Sequence, residues 1–285
     1  MPKLPQRPTD RLPTSPLLKD QWLDWVQYAA DIAFWATPRR LPPAENIRAT
    51  KLIAHRGAHH RDGPRENTLE AFQLAADAGA WGIEFDVRWT RDLVPVVIHD
   101  ADCQRAFSVA LSVGDSDFSE LREKVPQVPS LEEVVQRFGK QLHLMIETKC
   151  EPWVDQASQQ ATLSKILSGL APGDDYHWMG IEIDFLRSFD LVPKKFRIPI
   201  TFFEVDKFGK IVLEEGYAGL GGHYLLLNNR LLKQFKKAGK QFGVGFPSTE
   251  NALRREMHRG VEWVFTNDIE RVGPIYKKLL AQVNS

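Results

Sequence analysis

The chain of 285 residues has only two cysteines, Cys103 and Cys150. They have neither paired-motif spacing nor the density of a disulfide framework, which excludes a disulfide-stapled scaffold and agrees with a reducing compartment. An excess of one charge sign is also missing. Lys and Arg number 37 and Asp and Glu number 37, giving a formal net charge of +0. No global field draws such a protein to nucleic acid or to an anionic membrane, so any anion site must be local. No run reaches the roughly 18 uninterrupted apolar residues that a membrane span requires. The N-terminus lacks a basic segment followed by a short apolar core and a cleavage site. No short-period repeat or low-complexity tract is visible. The expectation is a soluble, unprocessed, cytoplasmic protein. What is present is ordinary globular material, 43% hydrophobic and 26% charged, enough to bury a large core.

Residues 1–15 carry Pro2, Pro5, Pro8 and Pro13 and little to bury, and read as a loose arm. From Pro16 to Ala36, Leu18, Trp22, Trp25, Ala29 and Ile32 recur at helical spacing while Lys19, Asp20, Asp24 and Asp31 face elsewhere, which predicts an amphipathic helix. Interfacial helices carry Lys and Arg on the polar face. Three aspartates and one lysine here predict packing on the body of the protein instead of a membrane surface. Pro38, Pro42 and Pro43 then form a linker, dividing the chain into an N-terminal arm, helix and linker over 1–48 and a main domain over 49–285.

In that domain short apolar runs alternate with helical patterns. Strands are predicted over 51–55, 82–88, 94–99, 141–147, 178–184, 197–204, 223–228, 241–246 and 262–266. Helices are predicted over 68–79, 130–138, 156–169, 208–216, 230–238 and 249–259, the second opening on a Ser130 cap before Leu131-Glu132-Glu133. Strands separated by helices predict parallel βαβ units, and a count near eight predicts a closed α/β barrel of the TIM (β/α)8 type. Nine candidates for eight places make one of them peripheral.

Function in such a barrel sits where strands end and the following loops begin. The first strand ends in His55-Arg56-Gly57. The second reads Gly82-Ile83-Glu84-Phe85-Asp86-Val87, and a period of two puts Glu84 and Asp86 side by side on one face. The third ends in His99-Asp100, and the fourth in Glu147-Thr148-Lys149, where Glu147 and Lys149 share a face. Interior carboxylates repel one another and are costly to desolvate, so a cation or a basic side chain must lie between them. Each carboxylate alone could simply pair with Arg56 or Lys149. As a set, three carboxylates without a nearby cysteine are hard oxygen donors suited to Mg²⁺ or Ca²⁺. Such an ion beside Arg56 and Lys149 would make a local phosphate site, and His55 and His99 could divide proton transfer, one assisting the attacking oxygen and the other protonating the leaving alkoxide.

These residues, together with Glu66-Asn67-Thr68 followed by Ala71-Phe72, Thr90 and Asp92, and Val94-Pro95-Val96-Val97-Ile98, resemble the glycerophosphodiester phosphodiesterase family in order and spacing. The resemblance implies a TIM-type barrel that hydrolyses a glycerophosphodiester to sn-glycerol 3-phosphate and an alcohol with a bound Mg²⁺ or Ca²⁺. By position it implies Glu84, Asp86 and Glu147 as metal ligands, His55 and His99 as the acid/base pair, Arg56 and Lys149 as phosphate contacts, and Glu66 as a residue that orients its neighbours or completes the metal shell. Beyond Lys149 the likeness is one of pattern. Asn267 interrupts the Thr-Asp that usually closes the last strand, and Phe246-Pro247-Ser248-Thr249 stands where the family often has a Trp-Thr pair. Glu182 and Asp184, expected on one strand face, have no counterpart.

His59 and His60 lie in a polar loop and read as surface residues, His143 as structural, and Cys103 as a packed thiol. The expected partner is a small molecule. Two alternatives stand beside the leading reading: a lysophospholipase D-like lipid phosphodiesterase, suggested by the Trp-rich helix, and a non-catalytic phosphate-binding barrel.

Overall fold

The computed structural model describes residues 18–60 and 62–284; the arm expected over 1–15 lies outside them. Eight parallel strands close into a barrel: β1 (Lys51–His55), β2 (Gly82–Trp89), β4 (His143–Thr148), β5 (Tyr176–Gly180), β6 (Arg197–Thr201), β7 (Gly219–His223), β8 (Gln241–Gly245) and β9 (Trp263–Thr266). β1 pairs with both β2 and β9 and completes the ring. The ninth element, β3 (Pro95–Val97), runs antiparallel to β2 outside the barrel, and is the peripheral member that the count required. It carries the chain into an excursion with its own small core, including Val96, Ile98, Cys103 and Leu121.

Side-chain alternation builds two layers. Leu52, Ile83, Phe85, Leu144, Leu220 and Val264 point outward against the ring of helices. Ile53, Met145, Met179, Ile198, Trp263 and Phe265 fill the barrel itself. Inward positions on β7 and β8 are glycines, and on β8 this makes room for the interior aromatics: a Cβ at Gly243 would lie 2.8 Å from the Phe265 ring. That economy hid β7 in the sequence, where a strand was expected over 223–228. Gly219-Leu220-Gly221-Gly222-His223 lacks the β-branched residues that signal a strand, and the more apolar stretch after it is a turn. The strand expected over 178–184 ends at Gly180. Glu182 and Asp184 therefore share no strand face; Glu182 precedes the short helix Ile183–Arg187 without a side-chain capping bond, and Asp184 lies within it.

Helix α1 (Leu18–Trp35) lies at the carboxyl mouth, and its orientation corrects the expected one. Asp31, placed on the solvent side by helical spacing, is 3% exposed, whereas Trp25 is 50% exposed. Gln27 Nε2 donates to Asp31 (3.0 Å), to the Tyr224 hydroxyl (3.1 Å) and to the Phe246 carbonyl (3.0 Å). Tyr224 and Ser248 donate to Asp31 in turn. These donors offset part of the desolvation that raises the Asp31 carboxyl above its usual range, and the polar side of the helix docks.

At the opposite end of the barrel, His143 stacks on Trp81 with centroids 4.3 Å apart, and its Nε2 lies 2.8 Å from His177 Nδ1. Burial pushes His143 down to about 4 and His177 to about 3. Both are neutral in the native barrel, while the unfolded chain takes up their protons near pH 6.5. Their contribution to stability is present above about pH 6.5 and is lost as pH falls toward 4 and then 3, on the order of 3 kcal/mol for His143 alone. Thermal melts across this range should show a smaller loss for His177→Gln than for the parent; superimposable profiles would remove the pair as the cause.

Candidate active site

The turn after β1 is what aims the first motif into the mouth. Arg56 (φ 56°) and Gly57 (φ 83°) both adopt the left-handed region. A Cβ at Gly57 would strike the Ala71 backbone at 2.8 Å, so glycine is required there. The reversal lets the Arg56 amide donate to both the Glu84 carbonyl (2.9 Å) and Glu84 Oε2 (3.2 Å). The guanidinium then reaches Glu66 Oε1 at 3.0 Å and Asp86 Oδ2 at 3.3 Å.

Glu84, Asp86 and Glu147 converge as the period of two requires. All three are buried, and one oxygen from each lies within 4.8 Å of the others. Lys149 Nζ bridges Asp86 Oδ1 (2.6 Å) and Glu147 Oε1 (2.5 Å), and Asn67 Nδ2 donates to Asp86 Oδ2 (2.9 Å). Glu84 Oε1 has no hydrogen-bond partner among the described residues. Burial, together with repulsion from Asp86 and Glu147, pushes the Glu84 carboxyl well above the usual range. Burial would also raise Asp86, but Lys149 and Arg56 hold it well below. Two carboxylates on one strand are thus driven apart by their neighbours.

His55 and His99 face this cluster from two sides. His55 Nδ1 is 2.6 Å from Asn267 Oδ1, and its Nε2 is 3.6 Å from Glu84 Oε2. His99 Nδ1 donates to Asp100 Oδ1 at 2.6 Å, and Asp100 accepts from Arg105 through its other oxygen. In both rings Nδ1 is tied, which leaves Nε2 for chemistry. Burial and the nearby Arg56 charge lower both imidazoles, His55 more strongly. Glu66 lies outside the carboxylate trio, held between Arg56 and Arg105 and kept low by those two charges against its burial. Asp100, Arg105, Asn67 and Asn267 are the contributors that sequence reasoning left unassigned. Asn67 and Asp100 sat inside quoted motifs, but nothing in the pattern marked Arg105.

The donor set fits a hard divalent ion. Five linked carboxylates (Glu66, Glu84, Asp86, Asp100 and Glu147) face three cations (Arg56, Arg105 and Lys149), so that with every carboxylate ionised and the histidines neutral the set carries two negative charges in excess, the charge of one divalent ion. One carboxylate oxygen is buried without a partner beside them, and every candidate ligand is oxygen.

The cluster floors a cavity of about 340 Å³ that also touches Gln27, Phe246 and Asn267. Residues 55–191 match the model of the glycerophosphoryl diester phosphodiesterase family. Glycerophosphodiester phosphodiesterase 1 of Rattus norvegicus is 41% identical over 86 residues, 30% of this chain and 24% of that protein. Glycerophosphodiester phosphodiesterase of Bacillus altitudinis is 34% identical over 108 residues, 34% of this chain and 43% of that protein. Among solved structures, the glycerophosphodiester phosphodiesterase of Thermotoga maritima aligns with TM-score 0.65 and 26% identity, covering 78% of this chain and 96% of that one. All three comparisons indicate one family, the glycerophosphodiester phosphodiesterases. Curated family members are matched over less than half of their own length. An Oleispira antarctica phosphodiesterase in complex with the product sn-glycerol-3-phosphate shares the fold at TM-score 0.67 and 21% identity, covering 80% of this chain and 96% of that one. The span matched to the family model contains His55, Arg56, Glu66, Glu84, Asp86, His99, Glu147 and Lys149. Gln27, Phe202, Phe203, Phe246 and Asn267, which also line the cavity, come from outside it.

Proposed function

We propose that the protein hydrolyses glycerophosphodiesters to sn-glycerol 3-phosphate and an alcohol, with His55 and His99 as the acid/base pair. The observation that carries this reading is the gathering of both histidines, Glu84, Glu147, Arg56 and Lys149 around one cavity at the carboxyl mouth, with Asp86 clustered against the two glutamates. Glu84, Asp86 and Glu147 would hold a Mg²⁺ or Ca²⁺ ion, which when bound supplies polarisation of the phosphoryl oxygens and neutralises charge. Arg56 and Lys149 bind the phosphate oxygens as fixed donors. Glu66 and Arg105 keep the Arg56 guanidinium in place. One histidine takes the proton of the attacking water as its oxygen bonds to phosphorus; the other returns a proton to the alkoxide as the second phosphorus–oxygen bond breaks. An anionic phosphodiester beside the rings favours the imidazolium that this exchange needs.

The lowered imidazoles set a pH expectation. The competent base is the neutral ring, and a lowered value keeps it neutral further into acid, so the acid limb of kcat/KM should fall below the ordinary imidazole value of about 6.5. A limb at or above that value would contradict the assignment. The activity is tested with glycerophosphocholine, glycerophosphoethanolamine and glycerophosphoinositol, with and without chelator, following glycerol 3-phosphate. Turnover that chelator abolishes and Mg²⁺ or Ca²⁺ restores is expected. No turnover with any divalent ion would support the phosphate-binding barrel in its place.

A further inference from the structure

The cavity is two-sided. Arg56, Glu84, Glu147 and Lys149 make one wall, whereas Met179, Ile181, Ile200, Phe202, Phe203 and Phe265 make the opposite wall. The apolar side has room because the inward positions Gly221 on β7 and Gly245 on β8 carry no side chain. It also continues outward. Ile181 is 39% exposed, Phe202 42% and Phe203 67%, on the loops after β5 and β6, and Leu226 after β7 and Trp25 and Val26 on α1 are exposed as well. Large apolar side chains gathered at one rim mark a binding surface, since burying them releases roughly 25 cal/mol per Å². A phosphodiester polar throughout uses the charged wall and leaves the other unused.

We propose that the apolar wall and its rim bind an acyl or alkyl chain carried by the phosphodiester, so that the preferred substrates are single-chain amphiphiles of the lysophospholipid class. This rests on the phosphodiesterase reading above. The phosphate sits against Arg56 and Lys149, and the chain runs over Phe202 and Phe203 toward the rim. Water adds across the phosphorus–oxygen bond as before, releasing the headgroup alcohol and leaving the chain on the phosphomonoester product.

Glycerophosphocholine and hexanoyl-lysophosphatidylcholine, the latter kept monomeric, release the same choline and differ only in the chain, so one choline assay compares them. The full-length protein should give a kcat/KM for the chain-bearing substrate at least about tenfold higher, the scale of burying one large apolar group. Phe203→Asp, on an exposed loop, should lower that ratio about tenfold, mainly through KM. Gly221→Val, whose Cβ would make an ordinary 3.4 Å contact with Ile200, should lower it by narrowing the cavity. Equal kcat/KM for both substrates overturns the inference and leaves the phosphodiesterase reading standing; no choline from either with Mg²⁺ or Ca²⁺ overturns both. A preference that neither variant moves overturns the assignment to this wall. Phe203-dependent sedimentation with phosphatidylcholine vesicles, without any preference among monomeric substrates, would make the rim a membrane contact and also overturn the substrate subsite.

Discussion

His99→Ala is expected to lower kcat by about 10²–10⁴, the share that a positioned acid or base contributes, with KM changed little. The ring is held for proton transfer and for little else. Its Nδ1 is committed to Asp100, which Arg105 anchors from the other side, so the tautomer leaves Nε2 open toward the cavity. Its side chain is 20% exposed, which makes truncation a loss of chemistry more than a loss of packing. His55→Ala should fall in the same range, since Asn267 ties its Nδ1 in the same manner. Steady-state kinetics with thermal melts as a control would check both. Near-parent turnover in either folded variant removes that histidine from the acid/base role.

Glu84→Gln is expected to raise the divalent ion concentration for half-maximal activity by at least the ~10–100-fold that outer-shell partners are worth, and to weaken metal binding by the same factor in calorimetry without substrate. The substitution keeps the shape and removes the charge. Glu84 is the informative ligand because Asp86 is already bridged to Lys149 and Arg56, and removing it would take an ion-pair partner from each of two buried cations. Glu84 Oε1, in contrast, has no partner among the described residues. The raised Glu84 carboxyl also sets a sign: a metal ligand must be deprotonated, so binding should release a proton and tighten as pH rises. Calorimetry in buffers of different ionisation enthalpy reads that proton directly. If metal titrations of variant and parent coincide, Glu84 is not a ligand.

The half of the site on β1, β2 and β4 was legible because it depends on local rules. A strand's period of two puts Glu84 and Asp86 on the inward face wherever the strand packs, and Glu147 two residues before Lys149 repeats the pattern on the neighbouring strand. The Ser130 cap formed as a full capping box with Glu133, again a matter of a few adjacent residues.

The features that sequence reasoning misplaced are those in which one element's conformation depends on another. Gly219–His223 is a strand because it pairs with β6 on one side and β8 on the other in the closed ring, not because its own residues favour extension. Strand β3 reads like its neighbours but pairs antiparallel outside the ring. Helix α1 docks through Gln27 and Asp31 because Tyr224, Ser248 and the Phe246 carbonyl offer hydrogen bonds at the mouth. Spacing along the chain therefore determined which side chains share a face, since that follows from backbone periodicity alone. Which faces are buried, what satisfies them and what lines the far wall of the cavity were decided by residues distant in sequence, because desolvation and packing depend on neighbours that only the closed barrel supplies.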